Sequence, residues 1–322
     1  MNRLYSHHFR AMNCTMSAWV YSDTNEAQIA LRSVEEWMQE VEARLSRFRP
    51  DSELSRLNAA AGRPFRADPL LWDVTQEALA AAERTNGIFD PTVGQALIAA
   101  GYDRSFEQLD TRSTAAPLAL SEAQAQHWRQ IGLDRKEHLI TLPEGVRLDL
   151  GGIAKGWAAD RALEILAPYG PALIDAGGDL AFGDPPPLES GWQVGIADPL
   201  WPDDDLVNLT LARGGLATSG TDFRRWRRNG RLMHHLIDPG SAGPAETEIL
   251  SASVIAPTAT EADVLALVLV VLGRQRAEAW LESQPWIPAL IVLNDGRTYQ
   301  TEPFKRYVNA YYPSYRTNRT PA

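Results

Sequence analysis

The first candidate for chemistry in this 322-residue sequence is the segment DLGGIAKG, residues 149–156. Alternating apolar residues in 146–150 predict a strand, and the residues after the segment predict a helix. Gly151 and Gly152 would allow a tight turn and the close approach of a ligand. Lys155 would stand at the helix N-terminus, where backbone N–H groups and an ammonium suit a phosphate. A plain strand-to-helix turn with a surface lysine fits the pattern as well, and P-loop spacing is absent.

The second candidate is a carboxylate, Asp263, in the first turn of a very apolar predicted helix. The run Val264–Leu272 indicates a helix from about residue 261 to residue 272 that is buried on most sides, with Thr260 as its N-cap and an end at Gly273. A buried carboxylate needs a metal, a cation or the N-terminus of its own helix as partner. Simple complementation of the helix dipole is the plainer alternative.

Two further segments place carboxylates and hydroxyls in predicted turns. GIFDPTVG (residues 87–94) offers Asp90 and Thr92. DAGGD (residues 175–179) has two carboxylates around a double glycine at the end of a predicted strand. Each segment could bind a ligand, and each could equally be a structural turn, of the Asx type in the first case.

The remaining candidates are a histidine and a group of arginines. His235 lies in a strand-like segment that ends at Asp238-Pro239, and a histidine there is more often structural than catalytic. Arginines surround Trp226 within residues 224–228. They could bind an anion or form a solvated hairpin tip.

The elements that must position these residues predict an α+β fold. Helices are expected over residues 27–48, over Leu70–Thr85 and after Gly156. Loops are expected at 110–121, 184–190 and 198–205, and the residues after Glu302 carry no clear pattern. The predicted strands are short and mainly antiparallel: Ala172–Asp175, Trp192–Ala197, Val207–Leu211, Met233–Ile237, Ser251–Ile255 and Ala289–Leu293.

Composition excludes some classes of function. The net charge of −10 argues against a protein that binds the nucleic acid backbone. The one cysteine, Cys14, cannot form an internal disulfide. Residues 1–14 hold no apolar run long enough for a signal peptide, and residues 264–272 are too few to cross a bilayer. The sequence therefore predicts a cytoplasmic protein without membrane insertion.

Taken in order, these segments resemble the ApbE-type FAD:protein FMN transferases. The similarity also covers AMNC (residues 11–14), FRPDSELSRLNA (residues 48–59), ATSG (residues 217–220) and HHLIDP (residues 234–239). It extends over roughly residues 8–300 of one domain spanning 1–322, which leaves 301–322 as a C-terminal tail. The resemblance implies a compact, T-fold-like arrangement of mainly antiparallel sheet with packed helices and FAD in a central cleft.

The resemblance also implies a reaction. A threonine or serine hydroxyl of an acceptor protein would attack the FMN-side phosphorus of FAD, and AMP would leave. Mg²⁺ would bridge the pyrophosphate as a Lewis acid. The implied partners are thus FAD, Mg²⁺ and an acceptor protein.

Roles for individual residues follow from the same resemblance. His235 and Asp263 would be catalytic, and the Gly152 carbonyl and Asp263 would bind the metal. The residues implied to contact FAD are Met12, Asp90, Thr92, Asp149, Lys155, Gly178, Ser219 and His235.

Three positions depart from the family pattern. Leu267 stands where the family usually has a metal-binding threonine, one helical turn after Asp263. Asn13 replaces a glycine, and Asp175 replaces an asparagine. Because leucine has no side-chain oxygen, an FAD-binding protein with weak or lost transfer stays open as an alternative. A further alternative is a hydrolase that splits FAD into FMN and AMP with water as the acceptor.

Overall fold

The computed structural model describes residues 3–109, 112–113, 125–228 and 230–311. Within these ranges the helices alternate with many short strands. The α-helices are α1 Ala27–Leu45, α2 Glu53–Ala59, α3 Pro69–Arg84, α4 Gly94–Ala100, α5 Ala154–Leu166, α6 Ala259–Ser283 and α7 Glu302–Lys305.

The strands are mostly three to nine residues long. They are β1 Arg3–Ala11, β2 Cys14–Ser22, β3 Pro64–Arg66, β4 Arg112–Ser113, β5 Gly132–Asp134, β6 Leu139–Thr141, β7 Ala172–Asp175, β8 Leu180–Phe182, β9 Trp192–Asp198, β10 Trp201–Leu211, β11 Gly214–Gly220, β12 Arg225–Arg228, β13 Arg231–His234, β14 Ile237–Asp238, β15 Gly243–Pro244, β16 Ile249–Ala256, β17 Ala289–Leu293, β18 Thr298–Gln300 and β19 Val308–Tyr311.

One antiparallel sheet of eight strands, in the order β1-β2-β7-β8-β11-β16-β17-β18, organises the fold. Side chains alternate between its two faces. Along β2, Ala18 and Val20 join the core beneath α1 and α5, whereas Trp19 and Tyr21 pack in the core shared with the small sheet β19-β10-β9. Helix α6 lies across β11 and β16 on the helical face. The mixed α+β architecture is confirmed.

The predicted helices form, with different ends. The first ends at Leu45, three residues earlier than expected, because Ser46 is already extended (ψ 116°). The predicted C-terminus at Gly273 is wrong, since the helix resumes beyond a kink there and ends at Ser283. The N-cap is Thr258, whose hydroxyl accepts the N–H of Glu261 at 3.1 Å. Thr260, the expected cap, donates its hydroxyl to Asp160 instead.

Three local assignments differ from the structure. Residues 146–150 run extended but join no ladder, apart from one isolated bridge between Val93 and Arg147. Residues 201–205, expected to be a loop, begin β10 with shifts in register. The expected strand Met233–Ile237 is interrupted at His235 and Leu236. The expected loop 184–190 is confirmed, and most of 110–121 lies outside the described residues.

None of the helices within the described ranges is long and apolar enough to cross a membrane.

Candidate active site

A cleft of about 890 Å³ opens where strand ends of the large sheet meet the N-terminal turns of α5 and α6. It brings together segments that lie far apart in the sequence, from the β1–β2 turn to the first turns of α6. Most of the residues that sequence and resemblance singled out line it, namely Met12, Asp90, Asp149, Gly152, Lys155, Gly178, Ser219, His235 and Asp263.

Thr92 is the exception among the expected site residues, because it does not line the cleft. Its side chain is buried, and its hydroxyl donates to Asp90 Oδ1 at 2.6 Å. Asp90 also accepts the backbone N–H groups of Thr92 and Gln126, at 2.7 and 2.5 Å. Thr92 therefore holds the turn as a structural residue, and Asp90 reaches the cleft from an Asx-type turn.

The tight turn between β1 and β2 presents Met12 to the cleft. Both central residues of the turn are left-handed, with φ of 51° at Met12 and 58° at Asn13. Asparagine tolerates this conformation better than most residues, so Asn13 can replace the glycine of the family pattern. The backbone N–H of Met12 donates to Glu42 Oε2 at 2.7 Å, which fixes the turn against α1.

Asp149 forms a buried ion pair that the sequence did not indicate. Its Oδ2 lies 2.5 Å from Nε of Arg47, and its Oδ1 accepts the N–H of Gly151 at 2.9 Å. The Arg47 guanidinium lies 4.1 Å from the ring centroid of Phe48 and 4.7 Å from that of Tyr102. Its Nη2 is buried and without a partner among the described residues. A cationic Nη2 beside the cleft can bind an anionic or carbonyl group of a ligand.

Lys155 and Asp263 line the cleft together, and Lys155 pairs with a second carboxylate, Asp179, which is buried beside it. Lys155 Nζ donates to Asp179 Oδ2, and Asp179 and Asp263 are almost fully buried. Burial opposes the charge of Lys155, but Asp179 and Asp263 together raise its pKa above the usual value. Burial, and then the negative charge of Asp179, raise the pKa of Asp263 to about 7.

Asp179 was not among the expected site residues, although the segment that contains it was. Gly177 and Gly178 have φ of 70° and 94°, so the chain reverses after β7 and turns Asp179 inward. Asp175, at the end of β7, accepts the N–H of Gly178 at 2.7 Å. The spacing of DAGGD could suggest two carboxylates near a ligand, but only the turn decides which one is buried.

His235 lies between β13 and β14 and lines the cleft. Burial, and then the positive charge of Arg224, lower its pKa to about 3, so the imidazole is neutral at physiological pH. Its Nδ1 is buried without a hydrogen-bond partner among the described residues. Arg224 in turn donates to Cys14 Sγ at 3.4 Å. Arg224 belongs to the predicted arginine cluster, but Trp226 of that cluster is buried rather than at a solvated tip.

The donors around Asp263 fit a hard divalent cation, with one gap. Two buried carboxylates face one lysine ammonium, which leaves negative charge that a cation would balance. Leu267 offers no oxygen and covers Gly152, because a Cβ added to Gly152 would lie 2.6 Å from its Cδ1. In the described part of the chain, no three His, Cys, Asp or Glu side chains form a ready metal site. A cation would therefore depend on Asp263, Asp179, the Gly152 carbonyl and water.

Comparison with known proteins assigns the family. The model of the ApbE family matches residues 12–291. The chain is 35% identical over 301 residues to the FAD:protein FMN transferase of Treponema pallidum, covering 86% of this chain and 81% of that one. It is 28% identical over 265 residues to the enzyme of the same name from Salmonella typhimurium, covering 80% of this chain and 75% of that one.

The comparison of structures agrees. The crystal structure of the ApbE protein from Thermotoga maritima superimposes with a TM-score of 0.85 at 27% identity, covering 96% of this chain and 100% of that one. The flavin transferase ApbE from Vibrio cholerae has the same fold, with a TM-score of 0.77 at 23% identity over 95% of this chain and 100% of that one. The chain belongs to the ApbE family.

Proposed function

We propose that this protein transfers FMN from FAD to a serine or threonine hydroxyl of an acceptor protein and releases AMP, with Mg²⁺ as cofactor. The observation that carries the proposal is the meeting of Lys155, Asp263 and His235 in one cleft, where Lys155 pairs with the buried Asp179. The names of the relatives support flavin transfer to a protein. The cleft volume of about 890 Å³ suits a large nucleotide, because ligand sites usually measure about 300–1,000 Å³.

FAD would lie with its pyrophosphate at the start of α5. Lys155 is a buried ammonium that stays charged because carboxylates surround it. The N–H groups of the first helical turn add positive potential at the same place. The Arg47 guanidinium, paired with Asp149 through Nε, adds a second cationic group at the wall of the cleft, and its Nη2 has no hydrogen-bond partner among the described residues.

The reaction replaces one P–O bond with another. The acceptor hydroxyl oxygen bonds to the FMN-side phosphorus, the bond to the AMP oxygen breaks, and the hydroxyl proton is released. Bound Mg²⁺, held by Asp263, Asp179 and the Gly152 carbonyl, would withdraw charge from the pyrophosphate. Nδ1 of His235 is free to accept a hydrogen bond from the hydroxyl. The pKa of about 3 makes His235 a residue that orients the hydroxyl rather than a strong base.

Leu267 favours a second candidate function, FAD binding with weak or lost transfer. Its Cδ1 lies against Gly152, where the resemblance implies a metal-binding threonine. A protein of this kind would bind FAD without releasing AMP. Release of AMP with no acceptor present would instead indicate hydrolysis.

The test is incubation of the protein with FAD, Mg²⁺ and a proteome from its own source cell. Mass spectrometry of the digested proteins should find FMN attached to serine or threonine. A proteome without any FMN-modified peptide, under every divalent metal, would overturn the proposal.

A further inference from the structure

The cleft continues into an apolar trough on the face of the large sheet that is opposite the helices. Its floor includes Leu4 on β1, Trp19 on β2 and Leu180 at the start of β8, all of which line the same continuous cavity. Leu4 is 49% exposed, although it is a large apolar residue, and it lies near the start of the edge strand β1. The trough is separate from the charged cluster at the start of α5, so it offers contact area for something other than a phosphate.

Strand β9 forms the wall of this trough, and it is an edge strand. It pairs with β10 along one side, and residues 192–198 all line the cavity on the other. Alternate residues of an antiparallel edge strand point N–H and C=O groups away from their partner. In the described part of the chain, residues 193–197 have no backbone hydrogen bonds outside the β9–β10 pair. These groups are available to another strand.

The direction of β9 leads to the cleft. Its first residue, Trp192, lies beside Tyr21, with ring centroids 6.3 Å apart, and Tyr21 pairs with Leu4 at the end of the β1–β2 hairpin opposite the turn at Met12. After its last residue the chain reaches Leu200, which lies against Gly296. The turn at Gly296 follows Leu293, which is at the end of the large sheet where β11 finishes in the cleft. An extended segment paired with β9 would therefore deliver one end to the reacting groups.

We propose that the acceptor protein docks as an extended segment along the edge of β9, with an apolar side chain on the floor and its hydroxyl in the cleft. This inference rests on the proposed transfer reaction. Main-chain hydrogen bonds would supply affinity and the apolar floor would supply selectivity. Asp203 and Asp205 are exposed beside the cleft end of β9. Their negative charge favours an acceptor segment that carries a basic residue near the modified serine or threonine.

The first test uses short peptides with a central threonine and random flanks, about nine residues long so that they span β9. The full-length protein, FAD and Mg²⁺ are incubated with this pool, and FMN-modified peptides are sequenced by mass spectrometry. We expect the modified peptides to carry an apolar residue at a position whose side chain faces the floor of the trough. We also expect Lys or Arg to be enriched near the modified threonine. N-methylation of alternate amides in a selected peptide should abolish transfer, and N-methylation of the intervening amides should not.

The second test changes the floor of the trough. Leu4→Asp should lower kcat/KM for the selected peptide by roughly tenfold or more, because a charge would face the apolar side chain of the peptide. FAD affinity, measured by flavin fluorescence, should not change. Ile29→Asp is the matched control, since Ile29 is 69% exposed on α1 and does not line the cavity. It should leave both values unchanged.

Hydrogen exchange distinguishes the remaining outcomes. The amides of residues 193–197 that point away from β10 should exchange quickly in the free protein and slow down when the selected peptide is added, whereas the amides that bond to β10 are protected in both states. Protection of the outward-pointing amides without peptide would overturn the docking site, because another part of the chain would then cover the edge. Release of AMP with no modified peptide in the pool would overturn docking but not FAD cleavage. Absence of both AMP and modified proteins would instead contradict the proposed function.

Discussion

Asp263 connects the charge of the site to the stability of the fold. Its pKa of about 7 in the folded protein lies above the ordinary value of 3.8. Between these two values the folded state binds more protons than the unfolded state, so this residue costs stability as pH rises toward 7 and above. The cost is largest where the buried carboxylate is ionised and no cation is bound.

We therefore expect Asp263→Asn to raise the Tm of the metal-free protein, more at pH 8 than at pH 5. The gain at pH 8 should be about 2 to 4 kcal/mol in free energy of unfolding. Thermal unfolding in EDTA measures this gain in stability.

Asp73→Asn, at an exposed position of α3, is the control. His234 and His235 have lowered pKa values and act in the opposite direction, so each variant is compared with the parent at the same pH. An equal or smaller gain at pH 8 would contradict the assigned pKa.

We expect Leu267 to limit how strongly the proposed site binds a cation. Leu267→Thr adds a hydroxyl facing Gly152 and should raise Mg²⁺ affinity roughly tenfold, because Mg²⁺ requires oxygen ligands. Isothermal titration calorimetry measures this without any need for turnover. Leu267→Val has nearly the same shape as threonine but no oxygen, so it should leave affinity unchanged. Equal affinities in the two variants would show that this position does not contact the metal.

At the scale of elements, the close contact between α5 and α6 positions the site. A Cβ added to Gly156 would lie 2.4 Å from the carbonyl oxygen of Ala259, so the two helices meet through this glycine. The contact places Lys155 beside Asp263, whose Oδ2 is 3.4 Å from the N–H of Gly156.

Gly156→Ala should push the helices apart, destabilise the protein by about 1 to 3 kcal/mol and weaken metal binding. Chemical unfolding and calorimetry measure the two effects. Gly132→Ala is a suitable control, because the nearest atom to its added Cβ would be 3.5 Å away. Unchanged stability and metal affinity in Gly156→Ala would mean that the helices can shift freely.

The sequence predicts elements well where the apolar pattern alone decides them. Val264–Leu272 indicated a buried helix and Ala289–Leu293 a buried strand, and both are confirmed. The hairpin β1–β2 was not predicted, since its turn residues Met12 and Asn13 are not a strong turn signal. Residues 146–150 alternate like a strand but join only one isolated bridge, because the side chain of Asn58 bonds both the N–H and the C=O of Leu148 in place of a neighbouring strand.

Prediction of the site residues from the sequence has the same limit, because long-range contacts are not visible in a local pattern. Lys155 and Asp263 could be singled out because their segments have unusual composition. Arg47 and Asp179 could not, because the ion pairs they form join residues that are distant in the sequence. Only the folded chain decides which of several arginines and aspartates is buried.

At the scale of the whole molecule, the large sheet separates two regions. Its helical face and strand ends hold the charged cluster that we propose for FAD, and its other face holds the trough beside β9 that we propose for the acceptor. The two regions meet at the strand ends, where an acceptor hydroxyl and a pyrophosphate could be brought together.

The most direct test of the central claim is the ratio of AMP released to FMN bound covalently to an acceptor. The protein is incubated with FAD, Mg²⁺ and an acceptor protein or peptide identified as above, and both products are counted by chromatography and mass spectrometry. Transfer predicts one AMP for each FMN attached, and neither product when EDTA removes the metal. AMP in large excess over attached FMN, or stoichiometric FAD binding without any AMP, would contradict transfer.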